Sequence, residues 1–125
     1  MIDTLPPVQH QLSDYSPPPH TGLNLVYSDE LMLVLDKPSG LLSVPGRGPL
    51  MQDCLASRVQ ADFPQALIVH RLDLPTSGLI VMGQGADAQR RLSELFQDRL
   101  VHKRYEAVVA GLLADDAGEV DLPMI

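Results

Sequence analysis

The residues best suited to chemistry are concentrated in one stretch, His70-Arg71-Leu72-Asp73-Leu74-Pro75-Thr76-Ser77-Gly78. The apolar run Leu67-Ile68-Val69 delivers an imidazole, a guanidinium and a carboxylate in close succession, and Pro75 and Gly78 then force a turn before a second apolar run, Leu79 to Met82. A carboxylate at a strand end, beside a cation and a sharp turn, suits nucleophilic, electrostatic or general-base chemistry. The same residue types also describe an ordinary charged hairpin, so by themselves they leave both readings open. If the chain is extended from Leu67 to Asp73, alternation puts Arg71 and Asp73 on one face and His70 on the opposite, apolar face, where it is expected as a hydrogen-bonded structural histidine. A metal site is not expected, because no second His or Cys stands at ligand spacing. Ser77 lacks the Gly-x-Ser-x-Gly context of a nucleophile elbow.

The elements that must position this stretch are legible on both sides of it. Residues 1–23 hold Pro6, Pro7, Pro17, Pro18 and Pro19 among polar residues, which predicts a Pro-rich extended arm, followed by one domain over 24–125. Leu25-Val26-Tyr27 and Leu31 to Leu35 read as two strands around a Ser28-Asp29-Glu30 turn, the second apolar enough for burial on both faces. Lys37-Pro38-Ser39-Gly40 ends that strand. Leu41 to Val44 reads as a short extended piece, and Pro45-Gly46-Arg47-Gly48-Pro49 as a loop whose glycines and Arg47 can approach a phosphate, although no P-loop Gly-Lys-Ser/Thr follows. Leu55, Val59 and Phe63 mark a helix over 52–63 that Pro64 stops, with the lone Cys54 in its first turn. Residues 67–73 form the expected central strand and 78–82 the return strand, with a break at 83–85. Residues 86–100 read as the longest helix, with an apolar stripe of Ala88, Leu92, Leu95, Phe96 and Leu100. Lys103 to Leu112 reads as a strand carrying Tyr105, residues 115–118 as a turn, and 119–125 as another extended piece. This order implies an α+β fold, a mixed, largely antiparallel sheet with flanking helices.

Composition bounds the answer more loosely. A chain of 125 residues with 45% hydrophobic residues and no Trp supports one domain with an aliphatic core. No apolar run is long enough to span a bilayer, the N-terminus has no secretory pattern, and a single Cys excludes an internal disulfide; a cytoplasmic location is expected. The net charge of -7 argues against a nucleic-acid partner when taken whole. All nine Lys and Arg, however, lie between Asp36 and Arg104 with seven carboxylates, so the middle of the chain is net basic and the acids collect at the ends.

The sequence at 70–78 resembles the His-Arg-Leu-Asp-x-x-Thr-Ser-Gly motif of the RluA-type RNA pseudouridine synthases. Flanking features agree in order: Val26-Tyr27-Ser28-Asp29 and Leu33 to Gly40 resemble the family's strand ending in a Lys-Pro-x-Gly turn, Phe96 to Tyr105 its helix end and Lys-x-Tyr strand, and Gly118 to Ile125 its Gly-x-x-x-x-Pro-hydrophobic-Ile stretch. The resemblance covers residues 20–125. It implies the N-terminal half of that family's catalytic fold, because the later basic Gly-Arg-x-His-Gln-x-Arg-x-His segment of the family has no counterpart here. A catalytically incomplete piece is therefore expected.

The family reaction converts uridine in RNA to pseudouridine without a cofactor, and the resemblance implies tRNA anticodon stem-loops, large-subunit rRNA stem-loops, or both as substrates, with no obligate protein partner. It puts the essential carboxylate at Asp73 and an active-site tyrosine at Tyr105. A carboxylate can attack C1′, stabilise an oxocarbenium-like centre or remove a sugar proton. The Tyr105 ring can stack on uracil or its hydroxyl can handle the C5 proton, whereas a lone strand tyrosine outside such a family is core packing. Arg71 is the expected residue for the gap left by a flipped base, or for a phosphate. Lys37, Arg47, Lys103 and Arg104, with Arg90 and Arg91, are candidate phosphate contacts. His70, Leu72, Thr76, Ser77 and Gly78 are expected to support the turn that aims Asp73. Two other readings are weighed: a non-catalytic RNA-binding or assembly module, favoured because half of the family's site has no counterpart here and the net charge is acidic, and a glycosidase-like hydrolase, disfavoured because no second carboxylate has a motif-like setting.

Overall fold

The computed structural model describes residues 15–120. The arm from 1 to 14 and the last residues of the expected terminal extended piece, 121–125, lie outside the described residues. Four antiparallel strands form one sheet: β1 (Leu25–Ser28), β2 (Met32–Lys37), β3 (Ala66–Ile68) and β4 (Gly78–Gln84), in the spatial order β1-β2-β4-β3. Two helices flank it, α1 (Leu55–Asp62) and α2 (Ala86–Gln97), and a single 3-10 turn occupies Pro49–Met51. The architecture is α+β as expected, with every strand pair antiparallel.

β1 and β2 turn where Asp29 supplies the missing partners: its Oδ1 accepts from the N–H groups of Leu31 (2.8 Å) and Met32 (2.9 Å). This is the Asx chemistry that makes Asp a turn residue. β2 alternates rather than burying both faces. Leu33, Leu35 and Lys37 point into the core while Asp36 is exposed, which corrects the two-sided burial expected for residues 31–35. β2 pairs with β4 from Met32↔Gly83 to Lys37↔Gly78, so Leu33 and Leu35 share an inner face with Met82 and Ile80. α1 covers that face with Leu55, Ala56 and Val59, and Leu41, Cys54, Ala66 and Leu72 close the core.

Cys54 is the N-cap of α1 rather than a residue of its first turn. Its Sγ accepts from the Ser57 N–H, the Ser57 hydroxyl accepts from the Cys54 N–H, and the thiol is fully buried. Residues 15–24 run along the outside of this core. The Tyr15 hydroxyl donates to Asp53 O at 2.7 Å and accepts from Leu42 N–H at 3.1 Å, while Arg58 binds the Asp53 carboxylate and Pro18 O.

Two strand expectations fail. The segment 67–73 is not the central strand: β3 is three residues long, stands at the sheet edge, and the chain leaves the ladder after Ile68. Lys103 to Leu112 forms no strand, since residues 98–120 contain no regular element. Strand pairing is non-local, so a run with strand composition forms a ladder only where a neighbour offers free backbone groups. The α2 stripe is likewise only partly covered: Ala88 is buried, but Leu95 and Leu100 are 42% and 66% exposed. Gly83 and Gln84, expected in a break, continue β4, and Gly85 caps α2.

Candidate active site

The motif 70–78 is an irregular segment between β3 and β4, pinned from both sides. On the N-terminal side, His70 Nε2 accepts the Val81 N–H at 2.9 Å and the ring stacks on Phe96 of α2, centroids 4.3 Å apart. Burial, and then the positive charge of Lys103, hold the His70 pKa below its ordinary 6.5. A neutral imidazole is what an N–H donor requires. Leu72 is buried, and the turn after it closes through Thr76 N–H to Asp73 O at 3.0 Å.

On the other side stands the segment 37–43. Ser43 Oγ accepts from Leu72 N–H at 3.1 Å and donates to Leu72 O at 2.7 Å. Gly40 N–H donates to Leu74 O at 2.8 Å, and Ser39 Oγ to Pro75 O at 2.7 Å. Lys37 Nζ donates to Leu41 O (2.5 Å), Pro38 O (3.0 Å) and Leu74 O (3.3 Å). Three carbonyls thus meet the three donors of a fully buried ammonium. Its pKa is lowered by burial and raised in part by the nearby charge of Asp73.

Lys37 is therefore not a surface phosphate contact. The expectation fails because its ammonium is inside the protein, holding the motif loop. The sequence signal that could have indicated this was its place at the inward phase of β2, two residues after Leu35 and four after Leu33. The roles of Ser43 and Ser39 are not legible in the sequence, since Ser39 is only the variable position of the Lys-Pro-x-Gly turn and an isolated Ser43 carries no pattern.

The remaining expected residues lie at or near the surface. Arg71 and Asp73 are both exposed, flanking buried Leu72. Among the described residues the Asp73 carboxylate has no hydrogen-bond or ion-pair partner. Beside the motif lies a cleft of about 820 Å³ whose lining includes Thr76, Ser77, Gly78, Leu79 and Val81 together with Lys103, Arg104 and Tyr105. His70 and Phe96 also line it, whereas Asp73 and Arg71 do not. Tyr105 is 62% exposed, Lys103 Nζ sits 5.6 Å from the Phe96 ring centre, and Arg104 pairs with Glu106 at 3.4 Å on the surface. Arg47 is exposed in its own loop, whose Gly46 and Gly48 carbonyls accept from Gln52 Nε2. The structure thus brings Tyr105, Lys103 and Arg104 to the motif turn and leaves Arg47 in a separate loop. Among the described residues no helix is long and apolar enough to cross a membrane, and no group of three or more His, Cys, Asp or Glu could hold a metal.

The motif turn thus presents an exposed aspartate next to a cleft that Tyr105, Lys103 and Arg104 help to line. The sequence matches the RNA pseudouridylate synthase family over residues 31–124, and the chain belongs to that family. It is 45% identical over 112 residues to the dual-specificity RNA pseudouridine synthase RluA of Vibrio parahaemolyticus, covering 90% of this chain and 45% of that protein. It is 46% identical over 114 residues to the RluA of Salmonella typhi, covering 91% and 52%. The chain spans about half the length of these curated relatives. Among solved structures, human RNA pseudouridylate synthase domain containing 4 aligns with a TM-score of 0.49 and 27% identity, over 62% of this chain and 30% of that one.

Proposed function

We propose that this protein isomerises specific uridines of structured RNA to pseudouridine, with Asp73 as the essential carboxylate. The observation that carries the reading is the presentation of Asp73: a solvent-facing carboxylate on a turn where Leu72 N–H and C=O, Leu74 O and Pro75 O are held by side chains from residues 37–43. The C1′–N1 bond breaks, the uracil turns in place, C1′ bonds to C5, the C5 proton leaves, and the freed N1 takes up a proton. The product is an isomer, so no oxidant or reductant enters the balance. Asp73 acts at the sugar, as nucleophile, electrostatic stabiliser or base.

Tyr105 offers its ring to the base, a stacking contact worth on the order of 1–3 kcal/mol. Arg71 faces the RNA beside Asp73, and Lys103 and Arg104 hold phosphates along the cleft wall. The target base must leave its stack to reach such a site, which favours stem-loops. The relatives are named as dual-specificity RNA pseudouridine synthases, which supports RNA as the substrate; the resemblance of residues 70–78 to the family motif extends this to tRNA anticodon and large-subunit rRNA stem-loops, met in the cytoplasm.

The test is Asp73→Asn in the complete gene product, with tritium release from 5-tritiated uridine RNA as the readout. Release is lost while RNA binding persists; turnover at the wild-type rate would remove Asp73 from the mechanism. One observation favours a second reading for residues 1–125 taken alone. Tyr105 lines the cleft beside the motif while Asp73 does not, so the ring and the carboxylate are not gathered into one pocket. Under that reading residues 1–125 retain stem-loop RNA and release no tritium.

A further inference from the structure

Asp73 has no partner for its carboxylate among the described residues, so its direction is set by its backbone. Leu72, the residue before it, has its side chain in the core and both backbone polar groups closed by a single hydroxyl. Its N–H donates to Ser43 Oγ at 3.1 Å and its carbonyl accepts from the same oxygen at 2.7 Å. The Ser43 hydroxyl takes the place of a β-bridge partner where the chain has left the sheet. Leu74, the residue after Asp73, accepts from Gly40 N–H and from Lys37 Nζ. Ser43 is 3% exposed and Lys37 fully buried, so neither reaches a substrate.

We propose that Ser43, supported by Lys37, is a positioning residue for Asp73, fixing the peptide before the carboxylate so that it meets the sugar in one geometry. The inference rests on the reading of Asp73 as the essential carboxylate. Without the hydroxyl, the Leu72 N–H and C=O are left unpartnered in a site too buried to hydrate freely, and the peptide rotates to find partners. A shift of about 1 Å in a reacting group can cost on the order of a hundredfold in rate.

The experiment is a series at one position in the complete gene product: Ser43→Ala, Ser43→Cys and Ser43→Thr. Each is assayed for kcat and KM on stem-loop RNA and for amide hydrogen exchange at Leu72 and Ile80. Ser43→Ala is expected to lower kcat by about ten- to a hundredfold with KM within about twofold, because misplacement of a reacting group acts on the chemical step. Ser43→Thr, which keeps the hydroxyl, restores most of kcat, and Ser43→Cys, a weak hydrogen-bonding group of similar size, falls between. Exchange at Leu72 quickens in the order Thr, Cys, Ala while Ile80 stays protected.

Equal kcat across Thr and Cys, or wild-type kcat in a folded Ser43→Ala, would overturn the proposal. If Ser43→Ala does not fold, the Thr-to-Cys comparison decides. Failure of the underlying reading is seen separately, as turnover in Asp73→Asn, while Leu72 exchange reports the brace without reference to activity.

Discussion

His70 completes a β-ladder with its side chain: Nε2 takes the Val81 N–H at 2.9 Å where β3 has already left β4. The pairing Ile68↔Met82 is the last, and continuing the register would have set Val69 opposite Val81. The imidazole substitutes for that absent strand and frees the backbone at 69–73 to turn. Because an accepting nitrogen must be unprotonated, this bond depends on pH. The folded pKa of His70 lies below 6.5, so the unfolded chain takes up the proton first. The stabilisation is fully present above about pH 6.5 and is lost as pH falls through the lower folded value. Thermal unfolding midpoints are expected to drop as the pH falls below about 6.5, and the drop to shrink in His70→Gln, whose amide oxygen accepts at any pH. Identical pH slopes for the two proteins would exclude this role.

Lys37 presents the opposite sign of problem, a cation inside the core. Lys37→Met fills the space but strands Leu41 O and Pro38 O, while Leu74 O keeps Gly40 N–H. Urea denaturation is expected to show a loss of about 1–3 kcal/mol with an unchanged m-value. An unchanged or raised midpoint would mean that relief from burying the charge outweighs the lost bonds.

Gly83 is a packing constraint on α2. A Cβ there would lie 2.8 Å from both Cα and N of Gln89 and 3.2 Å from the Ala88 carbonyl carbon, all backbone atoms. Gly83→Ala must push the start of α2 off the sheet and strain the Gln89 Nε2 to Ile68 O bond of 2.9 Å. Overpacking of this kind costs about 1–3 kcal/mol, read as a lowered Tm. A Tm equal to that of the wild type would show that the helix can lift without cost.

Arg99 is the one non-glycine residue with positive φ, at 58°, among the described residues. It ends α2 in a Schellman arrangement, with Arg99 N–H on Phe96 O at 3.2 Å and Leu100 N–H on Leu95 O at 2.9 Å. Glycine adopts this conformation without a Cβ penalty, so Arg99→Gly is expected to stabilise by up to about 1 kcal/mol. Chemical denaturation measures it, and a destabilised variant would indicate that the guanidinium makes a contact worth more than the strain.

The motif and its family were legible in the residues themselves. The order of residues 70–78, the Lys-Pro-Ser-Gly turn and Tyr105 carried the family resemblance that the match over 31–124 bears out. β1, β2, β4 and both helices followed from periodicity and turn residues, because those signals are local. What was not readable came from contacts distant in sequence. Ser43 meets Leu72 across 29 residues, and Lys37 meets Leu74 across 37. The Lys103 to Leu112 run has strand composition and no paired neighbour among the described residues.

The sequence by itself determined the class of fold, the family and the turn that displays Asp73, since apolar spacing, Pro, Gly and Asp act on the few residues around them. Only the tertiary structure decided that Lys37 turns inward, that His70 stands in for a strand and that Ser43 braces the residue before Asp73. Those outcomes depend on which donor meets which acceptor once the core has closed. A buried polar group must find its partner wherever the fold puts one.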